Sequence, residues 1–233
     1  MDQFTPNTKR FPQVKEWIFR VTGFLCSLLS LGFGIILQSS RYWRLWEFDN
    51  KVVQLVYIGL CGAYYHREFN ISGSVTRILM YSPVNSTWTI SSEFRCAQSL
   101  ILLAMFIKAM VVIFSSAALR VSIIRASVPE IQILCYRCCV LLLFLSSLCT
   151  ALSVTWNHVV DLYGETTFDF PHNFPVRKED LIKKHYTHVF PIGVLTATLS
   201  LFAMIMFFFE IRSLKLQSNL NAQGTSKQAN QNA

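Results

Sequence analysis

Four stretches of this chain are apolar on every side of a helix, and that property narrows its folds more than any other. They run from Val21 to Leu37, Ala97 to Leu119, Cys138 to Val154 and Val189 to Phe209. A soluble helix or strand keeps a wet face, so its apolar residues recur at helical or strand spacing instead of filling a block. Each block comes close to or reaches the roughly 17–25 residues that cross ~30 Å of hydrocarbon at about 1.5 Å per residue. The last carries no charge between Val189 and Phe209. The leader before the first block is long, and its apolar part exceeds the roughly 7–15 residues of a signal-peptide core, so it reads as a span. The expected fold class is an α-helical membrane protein, a four-helix transmembrane bundle.

The net charge of +8 is spread along the chain, with no basic patch of the kind that holds nucleic acid. Sorted by side, it orients the spans. The N-terminal segment, the loop between spans two and three, and the tail carry ten Lys/Arg against four acids. The other two loops carry ten against nine acids over a longer stretch. The denser side is expected to be cytoplasmic, which puts both termini there. Two N-glycosylation sequons, at Asn70 and Asn85, fall in the loop this assigns to the outside.

The resulting map has a cytoplasmic segment 1–20, span one at 21–37, a first outer loop 38–96 and span two at 97–119. A cytoplasmic loop 120–137, span three at 138–156, a second outer loop 157–188 and span four at 189–209 follow. The tail, 210–233, is rich in Gln, Asn, Ser and Lys and is expected to be disordered. Within the first outer loop, Arg41–Phe48, Val52–Leu60, Val75–Tyr81 and Thr87–Ile90 are runs of strand type separated by turn residues. They predict a small extracellular antiparallel sheet. Small residues mark the helix faces that meet: Gly23, Ser27, Ser30 and Gly34; Ser146, Thr150 and Ser153; Gly193, Ala197 and Ser200. In lipid, close packing along such stripes replaces apolar burial as the force that joins helices.

Motifs for chemistry are few. His185 with His188, and His158 with Asp161, each supply two ligands where a metal site wants three or four. There is no phosphate loop and no nucleophile elbow, so neither an enzyme nor a cofactor is expected. Lys108 is the one charge deep within a span, and its stripe with Ala104 and Ser115 turns it toward the bundle interior. An intramembrane lysine reads as an ion path or as a polar contact between helices. Cys135, Cys138 and Cys139 lie where span three leaves the cytoplasm and could carry palmitoyl groups. Outside, Cys61 and Cys96 are the pair that could bridge.

The two outer loops resemble those of the claudin family. Trp43-Arg44-Leu45-Trp46-Glu47-Phe48 is similar to the Trp-led first strand of claudins, and Ile58-Gly59-Leu60-Cys61 stands where the family has Gly-Leu-Trp. Trp156 to Tyr163 is similar to the Trp-to-aromatic exit from span three. The resemblance covers residues 14–212 and has three departures. Cys61 replaces the family's Trp, and Tyr64 and the Ser72–Ser74 region stand where two bridging cysteines would be. A Cys61–Cys96 bridge would be a substitute for the family disulfide. The ending Asn230-Gln231-Asn232-Ala233 lacks the hydrophobic terminus that engages PDZ scaffolds, so scaffold binding there is not expected.

The resemblance implies a tight-junction adhesion protein of the plasma membrane. It would associate with itself or other claudin-like proteins, side by side in one membrane and head-on across the gap, as a paracellular barrier. Arg67 and Glu68 lie near the family's selectivity region, and their opposite signs predict no ion preference. The alternative on the same fold is an auxiliary subunit of an ion channel or receptor.

Overall fold

The computed structural model of this chain describes residues 10–71, 74–84, 88–123, 129–164 and 169–231. Four helices account for the spans: α1 (Arg10–Ser39), α2 (Ser92–Ile123), α3 (Pro129–Tyr163) and α4 (Val189–Gln231). Each contains a stretch of 23 residues or more that is long and apolar enough to cross a membrane. The protein is therefore a multi-pass membrane protein. Between α1 and α2 lie β1 (Arg44–Phe48), β2 (Leu55–Ile58), β3 (Gly62–Ile71) and β4 (Ser74–Pro83). Between α3 and α4, a single 3-10 turn at Lys178–Asp180 leads into β5 (Leu181–His185).

The chain divides into two compact units. One takes α1 up to Leu31, Met105–Ser147, and α4 from Ala197 onward. Its core is Val111 and Ala118 of α2, Tyr136, Cys139 and Leu143 of α3, and Ala203, Phe207 and Ile211 of α4. Gly23 admits the Phe207 ring so closely that a Cβ there would stand 2.7 Å from it. Ser30 Oγ and Ser200 Oγ share a 2.7 Å hydrogen bond, and the Ser147 hydroxyl donates to Ala197 O at 3.1 Å. The small-residue stripes thus lie on buried faces, as expected. Lys108 is also buried there, 2% exposed, on the seam that runs through Ala104, Val111 and Ser115. Arg20 donates to the fully buried Glu210 and to Ser122, tying α1 to α4 and α2.

The other unit runs over Gly32–Ala104 and Leu148–Thr196 and holds the sheet. All strand pairs are antiparallel, in the order β4-β3-β2-β1-β5. The second loop therefore supplies an edge strand, which adds to the expected first-loop sheet. One sheet face is the core: Trp46, Phe48, Val56, Ile58 and Ala63 are each 2% exposed or less. Phe170 and Phe174, stacked at 4.8 Å, close that core together with Trp88. In the helices of this unit, a Cβ on Gly193 would meet Val154 at 2.5 Å, and Ser153 Oγ donates to Ala97 O.

Several boundaries differ from expectation. Thr89 makes a single bridge to Asp169 where a strand over Thr87–Ile90 was expected; Thr87 itself lies outside the described residues. α3 continues to Tyr163, so Asn157, His158 and Asp161 are helical and not part of a loop. α2 reaches Ile123 and α3 begins at Pro129, a residue suited to the first turn of a helix because it has no N–H to leave unsatisfied. The expected tail is helical to Gln231. Ile211 and Leu214 continue the buried face past Phe207, and a helix once formed extends cheaply through Leu, Lys and Gln.

Candidate functional site

The sheet and the polar cluster that fixes it form the part of the molecule with chemistry to explain. Alternation along β1 sends Arg44 and Trp46 to the buried face. Helical spacing on α3 places Asn157 and Asp161 one turn apart. There Trp46 Nε1 donates to Asp161 Oδ1 at 2.9 Å, and Arg44 Nη2 donates to Asn157 Oδ1 at 3.1 Å. Arg44 Nε lies 3.6 Å from Asp161 Oδ1, both side chains being nearly fully buried. The guanidinium sits over the Phe94 ring at 5.0 Å. Burial holds the Arg44 pKa below the ordinary arginine range, and the charges of Asp161 and Glu93 oppose that shift.

β5 joins the same cluster. Lys184 Nζ donates to Gly164 O at 3.0 Å and lies 6.0 Å from the Trp46 ring centroid. Burial lowers its pKa, partly offset by Asp161. On the opposite sheet face His185 Nε2 and Glu47 Oε2 are 2.8 Å apart. The arrangement clamps the inner strand β1 and the edge strand β5 to helix α3. It offers no nucleophile, base and oxyanion geometry. Among the described residues, no three His, Cys, Asp or Glu come together as for a metal. His158 stacks on Phe190 at 4.3 Å, and Asp161 belongs to the clamp.

The residues singled out from sequence fall as follows. Trp43 is buried and its Nε1 donates to Leu37 O at 2.9 Å, which ties the start of the sheet to the end of α1. Gly59 passes so close to the preceding chain that a Cβ would stand 2.9 Å from Ser40 O, and Leu60 is buried beside it. Cys61 follows in the β2–β3 turn and is exposed. Cys61 and Cys96 are free thiols in this structure, so the substitute bridge is not formed. Trp156 and Tyr163 lie on α3 with their side chains largely exposed. Asn70 lies in β3, opposite Val75; its side chain, like Asn85 as a whole, is outside the described residues. Of the three clustered cysteines, Cys139 is buried with its thiol toward Val111 O, while Cys135 and Cys138 are half-buried.

Sequence reasoning weighed Asp161 only as a metal ligand with His158 and Arg44 only within the claudin-like strand, and did not join them with Asn157 and Lys184. The available signal was an arginine set between two tryptophans, and an Asn and an Asp at i and i+4 beyond an apolar block. No model of a known protein family matches the chain, and no curated protein matches it either.

Proposed function

We propose that this is a claudin-like adhesion protein of cell–cell junctions, associating through the edges of its extracellular sheet. The reading is supported above all by β4. It is an edge strand ten residues long, with Ile78, Leu79 and Tyr81 between 41% and 53% exposed. Soluble proteins blunt such edges with charges, prolines or covering segments, because an open row of N–H and C=O groups pairs with other chains. Here Arg77 is the one charge, and Pro83 comes only at the strand's end. Val84 N–H bonds to Cys61 O at 3.1 Å, which sets the phase of the ladder. Even-numbered residues of β4 bond to β3 and odd-numbered ones turn their backbone groups outward. Fixed by the Arg44–Asp161 clamp, that edge meets a neighbour without first being ordered, which lowers the entropic cost of association.

The test is expression in cells that form no junctions, followed by freeze-fracture of their contacts. Continuous intramembranous strands are expected from the parent, and discontinuous ones from Leu79→Pro, which removes an outward N–H while sparing the β3 ladder. Scattered particles from the parent protein would refute the junctional reading.

A further inference from the structure

A second open edge lies on β3. Pairing with β2 ends at Val56 opposite Tyr65, whereas β3 runs on to Ile71 paired with β4 alone. Gly59 N–H bonds to Gly62 O at 2.8 Å, so even-numbered β3 residues turn their backbone groups toward the β2 side. Beyond the end of β2, Glu68 and Asn70 hold that phase along a ledge about 17 Å long at ~3.4 Å per residue. Beside the ledge is a groove of about 510 Å³, walled by the β1–β2 turn and the β3–β4 hairpin. Its apolar surface comes from Val52, Leu55 and Tyr57, the first two 48% and 38% exposed. Glu68 is neutralised by Arg77 at 2.7 Å, so Lys51 sets the sign of the remaining charge as positive.

We propose that this ledge and groove take an extended strand from a partner protein, apolar where it meets Leu55 and Tyr57 and acidic at its flanks. The backbone of β3 supplies the hydrogen bonds, and alternate side chains of the guest enter the groove, the division of labour typical of strand addition. A second copy of this chain fits less well. Two-fold pairing of identical strands sets like residues on like faces, so a register centred on Arg67 or Glu68 opposes equal charges. The site needs only the sheet, so it stands or falls independently of the junctional reading.

The experiment uses the full chain in lipid nanodiscs and a fluorescent heptapeptide of alternating valine and glutamate, followed by anisotropy. Saturable binding is expected. N-methylation of the amides in one alternating phase should weaken it at least tenfold, and in the other phase leave it nearly unchanged. Leu55→Asp and Lys51→Glu, both at exposed positions, should each weaken it about tenfold or more. Absence of saturable binding, or equal loss from both methylation phases, overturns the proposal. So does self-association of the protein that Leu55→Asp abolishes while the peptide does not compete.

Discussion

Removing the Asp161 carboxylate should release β1 and β5 from α3 without unfolding the helices. At 3.6 Å from Arg44, the attraction is about 4.6 kcal/mol at an effective dielectric of ~20. Burying two charges costs several kcal/mol per ion, so the intact pair contributes little net stability. Removing one partner is different, because it leaves a buried guanidinium without its carboxylate, at a cost of about 3–5 kcal/mol. Asp161→Ala also takes the acceptor from Trp46, a charged hydrogen bond of roughly 1.5–3 kcal/mol that overlaps with that figure. The assay is amide hydrogen exchange of Arg44–Phe48 and Leu181–His185 in detergent. At ~1.4 kcal/mol per tenfold, exchange of these strands should quicken by about two to three and a half orders of magnitude. Asp161→Asn keeps an acceptor and should fall between. Arg44→Met with Asp161→Leu removes both charges and should recover most of the protection. Unchanged exchange in Asp161→Ala, or a double variant as unprotected as the single, would refute the clamp.

Other expectations follow from close approaches and from charge. Gly59→Ala drives a Cβ against backbone at Ser40, whereas at Gly62 the obstacle is the far end of the Tyr81 side chain, which can swing aside. Thermal denaturation should therefore show the larger loss for Gly59→Ala. Gly193→Val overpacks α3 against α4 at Val154 and should cost about 1–3 kcal/mol, while Gly32→Ala, with open space around it, serves as a silent control. Burial lowers the Lys184 pKa, so the unfolded chain binds more protons between the depressed and the ordinary value. Stability should rise with pH across that window, and Lys184→Gln should flatten the rise in denaturant titrations at successive pH values. For orientation, glycosidase treatment should shift the parent protein but not an Asn70→Gln, Asn85→Gln double variant.

The spans were legible because a bilayer leaves no wet face, so each must be written as a contiguous apolar block. The packing faces were legible for a related reason: Gly23, Ser30, Ser153 and Gly193 repeat at spacings that only a helix seam uses. Lys108 could be placed inside the bundle by the same spacing. The sheet was visible where β-branched and apolar residues run together, as in β2 and β4, and was hidden in β3, where Tyr64 to Glu68 is aromatic and charged. β5 was hidden because Leu181-Ile182-Lys183-Lys184-His185 gains strand character only by lying against β1. The Thr87–Ile90 run failed the other way, its residues being of strand type with one bridge to pair with. The helical tail was missed because the buried contacts of Ile211 and Leu214 are supplied by tertiary packing.

What sequence could not disclose was which charges pair, as Arg20 does with Glu210 in one unit and Arg44 with Asp161 in the other. Partners 190 and over 100 residues apart leave no local trace, and each charge alone reads as an ordinary residue of a membrane boundary. Their placement has a physical logic. Helices in lipid gain nothing from burying apolar surface against each other, and a seam of small residues tolerates sliding by a turn. A buried ion pair adds little net stability but has one acceptable geometry, since displacement strands a charge. Arg20 with Glu210 therefore penalises any slip of α1 against α4. Arg44 with Asp161 does the same for β1 against α3.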